Sequence, residues 1–175
     1  MRAALALLLV ASLGGAASDF TIVAGPARDA ERIGRYRFGV DPSYAAAVKA
    51  FGRPTGLTAE LPKGVCIARW AKLGLAIRFG SEPSDPCSAA SLSRITWAGA
   101  TVASRMWRTA AGLRVGDTVA RLRRLYPIAR SASDGWLLVY RRGEVGVTVY
   151  LRAHVRVSRV TSLQLPPGNV SVARS

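Results

Sequence analysis

The chain has 175 residues, half of them hydrophobic, and its 25 Lys and Arg residues against 10 Asp and Glu give a formal net charge of +15. This hydrophobic fraction excludes a disordered chain, and the length suits one domain or two small halves. A positive field of that size raises encounter rates with anionic partners. The 22 arginines against 3 lysines are typical of a GC-rich genome, but codon bias does not explain the excess of bases over acids.

The first 18 residues have the pattern of a cleavable secretory signal peptide. Arg2 forms a short positive region, residues 3–13 are uncharged and mostly apolar, and the small residues that follow allow cleavage after Ala17 or Ser18. The alternative is an uncleaved anchor, but the apolar run is shorter than the roughly 20 residues that span a bilayer. We therefore expect a secreted or cell-envelope protein whose mature chain has no transmembrane span and whose partners do not include nucleic acid.

Cys66 and Cys87 are the only cysteines of the sequence. An even number of cysteines in an exported chain predicts a disulfide bond, which for a loop of this length stabilises the fold by roughly 3 kcal/mol. The competing interpretation, a nucleophilic thiol, requires a nearby base, and His154 is the only histidine. Two cysteines and one histidine also leave a zinc site one ligand short, so we expect no metal and no other cofactor.

A repeated pattern divides the mature chain. We expect a first repeat unit over 36–99 and a second over 113–168, joined by a linker over 100–112, with an N-terminal segment over 19–35 and a tail over 169–175. The part of the chain from the linker onward holds 13 basic against 3 acidic side chains. The positive charge therefore belongs mainly to the second half.

Each unit opens with a short predicted helix. Asp41, followed by Pro42 at the first helical position, is expected to cap the first helix, and Asp117 or Thr118 the second. Apolar residues at three-residue spacing give each helix one buried stripe, made of Ala45, Val48 and Phe51 in the first and Val119, Leu122 and Leu125 in the second.

Three strands are expected after each helix. They cover 65–70, 73–79 and 94–97 in the first unit, and 136–141, 145–152 and 155–165 in the second, with a bend near Arg159. Apolar and polar residues alternate along them, as in half-buried antiparallel strands. The sequence thus predicts an α+β fold, in which two tandem helix–strand–strand–strand units form one antiparallel sheet with the helices packed on one face.

A helix that is closed by Gly52-Arg53-Pro54 and followed by three antiparallel strands resembles the repeat of the beta-lactamase inhibitory protein of Streptomyces, a unit shared with small outer-membrane assembly lipoproteins. This likeness is one of pattern over 38–165. Residues 51–54, 66–70, 73–75, 87 and 107–117 more narrowly resemble a group of uncharacterised secreted actinobacterial proteins. The resemblance implies export, this fold and a non-catalytic protein-binding sheet. It implies no beta-lactamase inhibition, because the inhibitor's binding residues have no one-for-one match here.

The strand alternation also predicts a binding face. With Leu137 and Val139 facing the helices, the second unit would present aromatic and arginine side chains on the other side of the sheet. Such side chains are enriched at binding hot spots. The alternative is that a linker covers this face, or that Trp97, Trp107 and Trp136 pack between the units. The expected partner-binding residues are Trp136, Tyr140, Tyr150, Arg152, Arg156, Trp70 and Arg78.

The sequence contains no G-x-S-x-G elbow, no H-E-x-x-H motif and no phosphate loop. His154 follows Arg152 by two residues on a predicted strand and is expected to be partly exposed. We therefore expect no catalytic residues and an exported, non-enzymatic binding module for an acidic protein or an anionic envelope polymer. The alternatives are a small envelope hydrolase, whose unfamiliar site would need His154, and a protein held in the envelope by charge alone.

Overall fold

The computed structural model describes residues 19–80, 84–133, 135–143, 147–166 and 171–172. Within these ranges the chain is mostly β, with twelve strands and three short α-helices. The predicted signal peptide lies outside the described residues, as does the predicted tail apart from two residues.

The described helices are α1 (Tyr44–Phe51), α2 (Ala89–Leu92) and α3 (Val119–Leu125). None of the helices in the described part of the chain is long and apolar enough to cross a membrane. The strands are β1 (Thr21–Val23), β2 (Arg32–Ile33), β3 (Gly56–Glu60), β4 (Val65–Trp70), β5 (Leu75–Gly80), β6 (Thr96–Val102), β7 (Arg108–Thr109), β8 (Arg130–Ala132), β9 (Gly135–Arg142), β10 (Val147–Arg156), β11 (Arg159–Leu165) and β12 (Ser171–Val172).

One large sheet runs through both halves of the chain. Its strands follow the order β3-β4-β5-β6-β11-β10-β9-β8, and each neighbouring pair is antiparallel. The short strand β12 also pairs with β10. The two halves meet at the centre of the sheet, where Leu163 of β11 lies opposite Val102 of β6.

The predicted α+β fold of helix–strand–strand–strand units is wrong, because the chain is mainly β. Four described strands of the large sheet follow α1 and five follow α3, while the helices themselves are only 8, 4 and 7 residues long. The strands that the sequence pattern missed, β3 and β8, form the two edges of the sheet. Most of their residues are exposed, so no apolar alternation marks them.

The C-terminal strands also differ from the prediction. β10 continues to Arg156 and β11 begins at Arg159, so the chain reverses at Val157 and Ser158 instead of bending near residue 159. Both turn residues have positive φ, 49° and 60°. This conformation is rare for a β-branched residue such as Val157, which explains why the sequence did not mark the turn.

A second, three-stranded sheet connects the N-terminal segment with the predicted linker. β1 pairs antiparallel with β2 and parallel with β7. Beside β7 the fully buried Trp107 meets Phe20 edge-on, and its Nε1 donates a hydrogen bond to the Leu73 carbonyl oxygen at 2.7 Å. The predicted linker therefore contains the end of β6 and all of β7.

Side-chain caps define where the two longer helices begin. The Ser43 hydroxyl accepts a hydrogen bond from the Ala46 amide at 3.1 Å, and the Thr118 hydroxyl accepts one from the Arg121 amide at 3.2 Å. The predicted cap at Asp41 is wrong, because Asp41 lies two residues before the N-cap Ser43 and its carboxylate accepts from the Ser43 amide outside the helix. Of the two alternatives for α3, Thr118 is confirmed.

The core lies on one face of the large sheet, which we call the helix face. Its buried residues include Ile77, Phe79, Val102 and Leu151, all at most 1% exposed. α1 contacts this face through the Tyr44 ring, which meets the Phe79 ring edge-on at 5.5 Å. The strands thus supply most of the core, and the helices add single buried residues.

The predicted disulfide bond between Cys66 and Cys87 is confirmed. Cys66 lies on β4 opposite Phe79 of β5 and is fully buried on the helix face. Cys87 precedes α2, whose first turn is capped by the Ser88 side chain. The bond therefore ties the segment between β5 and β6 to the core.

Candidate functional site

The other face of the large sheet, which we call the open face, carries polar and small side chains. Residues that lie opposite one another on paired strands share a face. The register therefore places one residue from each of eight strands in a single row on the open face. In sheet order this cross-strand row is Gly56, Arg69, Ala76, Thr101, Gln164, Arg152, Leu137 and Arg130.

Burial differs between the two faces in the middle of the sheet. Arg69 is exposed, and Ala76, Thr101 and Gln164 are half-buried. Their neighbours along the same strands point to the helix face, and there Ile77 is 0% exposed. Toward β9 the open face is more covered, because Leu137 of the row is buried.

Arginine dominates the charge of the open face. Three arginines belong to the cross-strand row itself, and alternation along β5, β9 and β10 adds three more. Among the described residues, Glu60 is the acid that the register places on this face, and its carboxylate is paired with the Arg78 guanidinium at 2.6 Å. The open-face arginines are Arg69, Arg78, Arg130, Arg141, Arg152 and Arg156.

Hydrogen bonds hold several polar side chains of the open face in place. Arg69 donates to the Thr58 hydroxyl at 2.6 Å. His154 Nε2 and Gln164 Oε1 are hydrogen-bonded at 2.9 Å. His154 is half-buried on β10, as the sequence predicted, and its ring contacts a neutral amide.

Two depressions lie on the open face. The larger has a volume of about 430 Å³, and its lining includes Arg69, the small residues Ala76 and Thr101, and the larger Trp70 and Leu75. The second, of about 310 Å³, is lined by residues that include Arg78, Ala98, Gly99 and Gln164. Small side chains on β5 and β6 thus leave room between the arginines.

Three of the predicted binding residues, Arg78, Arg152 and Arg156, lie on the open face of the sheet. Tyr150 lies at a register shift between β10 and β9, and it lines a cavity of about 350 Å³ together with helix-face residues such as Val149 and with the N-terminal segment. In that cavity, burial raises the pKa of the Glu31 carboxyl.

Trp136, Tyr140 and Trp70 lie on the helix face, so the predicted face is wrong for these three residues. The Arg123 guanidinium of α3 lies 5.0 Å above the Trp136 ring, and the Tyr140 hydroxyl donates to the Ile128 carbonyl oxygen at 2.9 Å. Trp70 is 3% exposed and donates to the Gly52 carbonyl oxygen at 2.9 Å. The structure therefore separates these aromatic rings from the open-face arginines.

The reason for this error lies in the composition of β9. Its five consecutive residues 136–140 are all apolar or aromatic, so alternation cannot tell which face is buried. The pairing of Leu137 with Arg152 and of Trp136 with Ala153 decides which of these side chains face the helices. The register of β9 and β10 shifts on either side of Leu151, so the simple alternation is interrupted and Val139, opposite Leu151, stays on the helix face.

Sequence reasoning missed several residues of the open face. The sequence pattern did not predict the arginines Arg69, Arg130 and Arg141 as site residues. It did not predict Ala76 or Thr101 either. The available signal was the alternation of small with bulky residues in β5, where Ala76 lies between Leu75 and Ile77. That pattern marks a face without large side chains.

In the described part of the chain, no three His, Cys, Asp or Glu side chains are grouped so as to hold a metal ion. No protein-family model and no curated protein matches the chain. An extracellular protein containing an SCP domain, from Bacillus anthracis strain Ames, has a solved structure that is similar to this chain with a TM-score of 0.43 and 9% sequence identity. The match covers 71% of this chain, which spans 43% of that protein.

Proposed function

We propose that the protein is an exported, non-enzymatic binding module that recognises an anionic partner, either an acidic protein or an envelope polymer, through the open face. The observation that carries the proposal is the charge of that face, with six arginines and one described acid. An arginine guanidinium pairs with a carboxylate or phosphate through two parallel hydrogen bonds. The aromatic residues first expected to join the arginines are left out of this site.

Export is supported by two features of the chain. The pattern of residues 1–18 is that of a signal peptide. The Cys66–Cys87 disulfide suits an oxidising compartment outside the cytoplasm. The resemblance to secreted actinobacterial proteins and to the beta-lactamase inhibitory protein repeat stays a prediction, and it is consistent with binding through a sheet.

A matched pair of variants tests the open face as the binding site. One replaces two arginines of the cross-strand row, Arg69→Gln with Arg152→Gln. The other replaces two exposed arginines away from the sheet, Arg53→Gln with Arg124→Gln. Both variants remove two positive charges, so a difference between their affinities measures the effect of where the arginines lie. Thermal unfolding of each variant checks that it folds as the wild type does.

Affinities for poly-L-glutamate and for polyphosphate are then measured at low and at moderate salt. We expect the open-face variant to bind at least one of these polymers roughly tenfold more weakly than the wild type, and the control variant to lose much less. Equal losses that vanish together in salt would contradict the proposal, because a diffuse positive surface is screened beyond about 10 Å at 0.1 M salt. They would support a protein held by charge alone.

A further inference from the structure

We propose that the turn between β10 and β11, with the arginines around it, is a docking site for a lipid surface that carries anionic headgroups. In this arrangement the Val157 side chain enters the lipid interface, and the arginines pair with headgroup phosphates. The site lies at the end of the large sheet and shares Arg156 with the open face.

Val157 occupies a position that suits neither its shape nor its polarity. Its side chain is apolar, yet the residue is 89% exposed. Val157 and Ser158 join the paired residues Arg156 and Arg159, and positive φ at both turn residues is the mark of a type I′ hairpin turn. Asn and Gly adopt this backbone readily, whereas a β-branched residue adopts it at a cost in stability. A side chain that costs stability and packs on nothing of its own chain indicates contact with a partner.

The two residues that flank the turn break a second local rule. Arg156 and Arg159 lie opposite one another on the paired strands, and both are exposed. Like charges at directly opposite positions repel one another and destabilise a sheet. Anions brought by a partner would remove this repulsion. The flanks of the turn therefore favour an anionic partner.

Contacts with Gly116 join two further arginines to this hairpin. Arg159 donates a hydrogen bond to the Gly116 carbonyl oxygen at 2.9 Å. The Arg105 guanidinium packs against the same glycine, since a Cβ added at Gly116 would lie 2.6 Å from the Arg105 Nε. Arg114 in turn donates to the Arg105 carbonyl oxygen at 3.2 Å. The positive charge thus extends from the turn across a neighbouring segment of the chain.

Asp117 is the acid that contacts these arginines among the described residues. Its carboxylate lies 3.1 Å from the Nε of Arg121, and its carbonyl oxygen accepts a hydrogen bond from the Val160 amide, next to Arg159. Five exposed arginines against this acid leave the surface strongly positive. We call this surface the tip patch, and it consists of Val157, Arg105, Arg114, Arg121, Arg156 and Arg159.

The form of the tip patch favours a lipid surface over an acidic protein. Val157 is at the end of a hairpin, with arginines behind it on both strands. Arginine side chains can keep their guanidinium groups at the level of the headgroups while an apolar side chain lies deeper. A layer of anionic headgroups attracts every arginine near it, whatever their spacing. A protein would instead need a pocket that fits Val157 and several acids in matching positions around it.

The test changes the apolar tip and the charge separately. Val157→Asn keeps the charge and supplies a residue that suits the turn. Val40→Asn, at a valine that is 56% exposed elsewhere on the surface, is its matched control. Arg114→Gln with Arg159→Gln removes two charges of the tip patch. Its control removes two exposed charges elsewhere, by Arg53→Gln with Arg124→Gln.

Residues 19–175 are used, because the apolar residues 3–13 would bind lipid by themselves. Binding is measured by co-sedimentation with vesicles of phosphatidylcholine alone and with vesicles of equal parts phosphatidylcholine and phosphatidylglycerol. Poly-L-glutamate in solution represents an acidic protein. Thermal unfolding measures the stability of each variant. None of the tip-patch variants changes an open-face arginine, so the outcome does not depend on the proposed function.

We expect the wild type to bind the mixed vesicles and not those of phosphatidylcholine alone. Val157→Asn should bind the mixed vesicles roughly tenfold more weakly, because it loses the apolar contact, and should bind poly-L-glutamate as the wild type does. Its thermal midpoint should rise by about 2–4 °C, because the turn is relieved of an unsuitable residue. The arginine pair should also weaken vesicle binding roughly tenfold, and both controls much less.

Three results would overturn the inference. The wild type fails to bind the mixed vesicles, or Val157→Asn binds them as tightly as the wild type does. In the third result, Val157→Asn loses affinity for poly-L-glutamate and for the vesicles alike, which would identify an acidic protein as the partner. A lower thermal midpoint in Val157→Asn would contradict the unsuitable turn residue on which the docking site is based.

Discussion

Asp19 is held by two partners at the N-terminal end of the described chain. It forms an ion pair with Arg32 and accepts a hydrogen bond from the Thr21 amide at 3.0 Å. Burial by itself would raise the pKa of the Asp19 carboxyl, but the hydrogen bonds from Thr21 and Arg32 outweigh it, so the pKa lies below its ordinary value. This residue therefore ties the N-terminal segment to β2 only while it is ionised.

We expect Asp19→Asn to lower the free energy of unfolding at neutral pH and to have little effect in strong acid. A carboxyl whose pKa is lowered on folding contributes stability above its ordinary pKa and loses that contribution as the pH falls through the folded value. Urea unfolding of the wild type and the variant at pH 7, 5 and 3 measures the difference. Asp29→Asn, at an exposed position, is the control. A difference of the same size at all three pH values would contradict the expectation.

The Tyr140 side chain lies on the helix face of the sheet. Its hydrogen bond to the Ile128 carbonyl oxygen connects β9 to the segment after α3. We expect Tyr140→Phe to lower the free energy of unfolding by about 1 kcal/mol, the usual net value of such a bond, and to leave polymer binding unchanged. Urea unfolding and poly-L-glutamate binding measure the two effects. Weakened binding by a fully stable variant would return Tyr140 to the binding site.

At the scale of elements, short helices depend on their caps. α1 and α3 have 8 and 7 residues, fewer than an isolated helix needs to be stable in water. Their stability therefore comes from packing on the sheet and from the capping hydroxyl, which accepts a hydrogen bond from a backbone amide of the first turn. The Ser43 and Thr118 caps are local features that hold both helices at defined ends.

We expect Ser43→Ala and Thr118→Ala each to lower the free energy of unfolding by about 1 kcal/mol, because each leaves an amide of the first turn without its acceptor. Ser131→Ala, at an exposed position on the edge strand β8, is the control and should change little. Chemical unfolding of the three variants measures the effect. A cap variant as stable as the control would show that solvent satisfies the amide equally well.

At the scale of the whole molecule, one covalent bond supports a fold made mostly of strands. The Cys66–Cys87 bond closes a segment with a sequence separation of 21 residues. In the unfolded chain this link removes conformational freedom, and the effect for a loop of this length is about 3 kcal/mol. Cys66 also packs in the core, where it is fully buried.

Cys66→Ala combined with Cys87→Ala should lower the free energy of unfolding by about 3 kcal/mol. Reduction of the wild-type protein should produce a drop of similar size, which serves as the control for the loss of the two sulfur atoms from the core. Thiol titration of the native protein should find no reactive group. Two reactive thiols in the native protein would contradict the bond.

Local patterns were sufficient to predict some elements. The hairpin of β4 and β5 follows from apolar alternation on either side of a short turn, and the α1 and α3 helices follow from a three-residue apolar spacing between turn residues. The disulfide follows from an even number of cysteines in a chain that the sequence pattern predicts to be exported. The hairpin and helix predictions depend on residues that are close in sequence. The disulfide prediction depends on the cysteine count, because two cysteines allow only one pairing.

The sequence by itself thus determined the positive charge, the disulfide, two helices and the central hairpins of this protein. Only the tertiary structure decided the mainly β fold, the edge strands β3 and β8, and the face on which Trp136 and Tyr140 lie. The cross-strand row likewise joins residues as distant in sequence as Arg69 and Arg152. The physical reason is that strand register and edge position are set by pairing and burial between distant segments, and a strand with apolar residues on both faces carries no local signal for either.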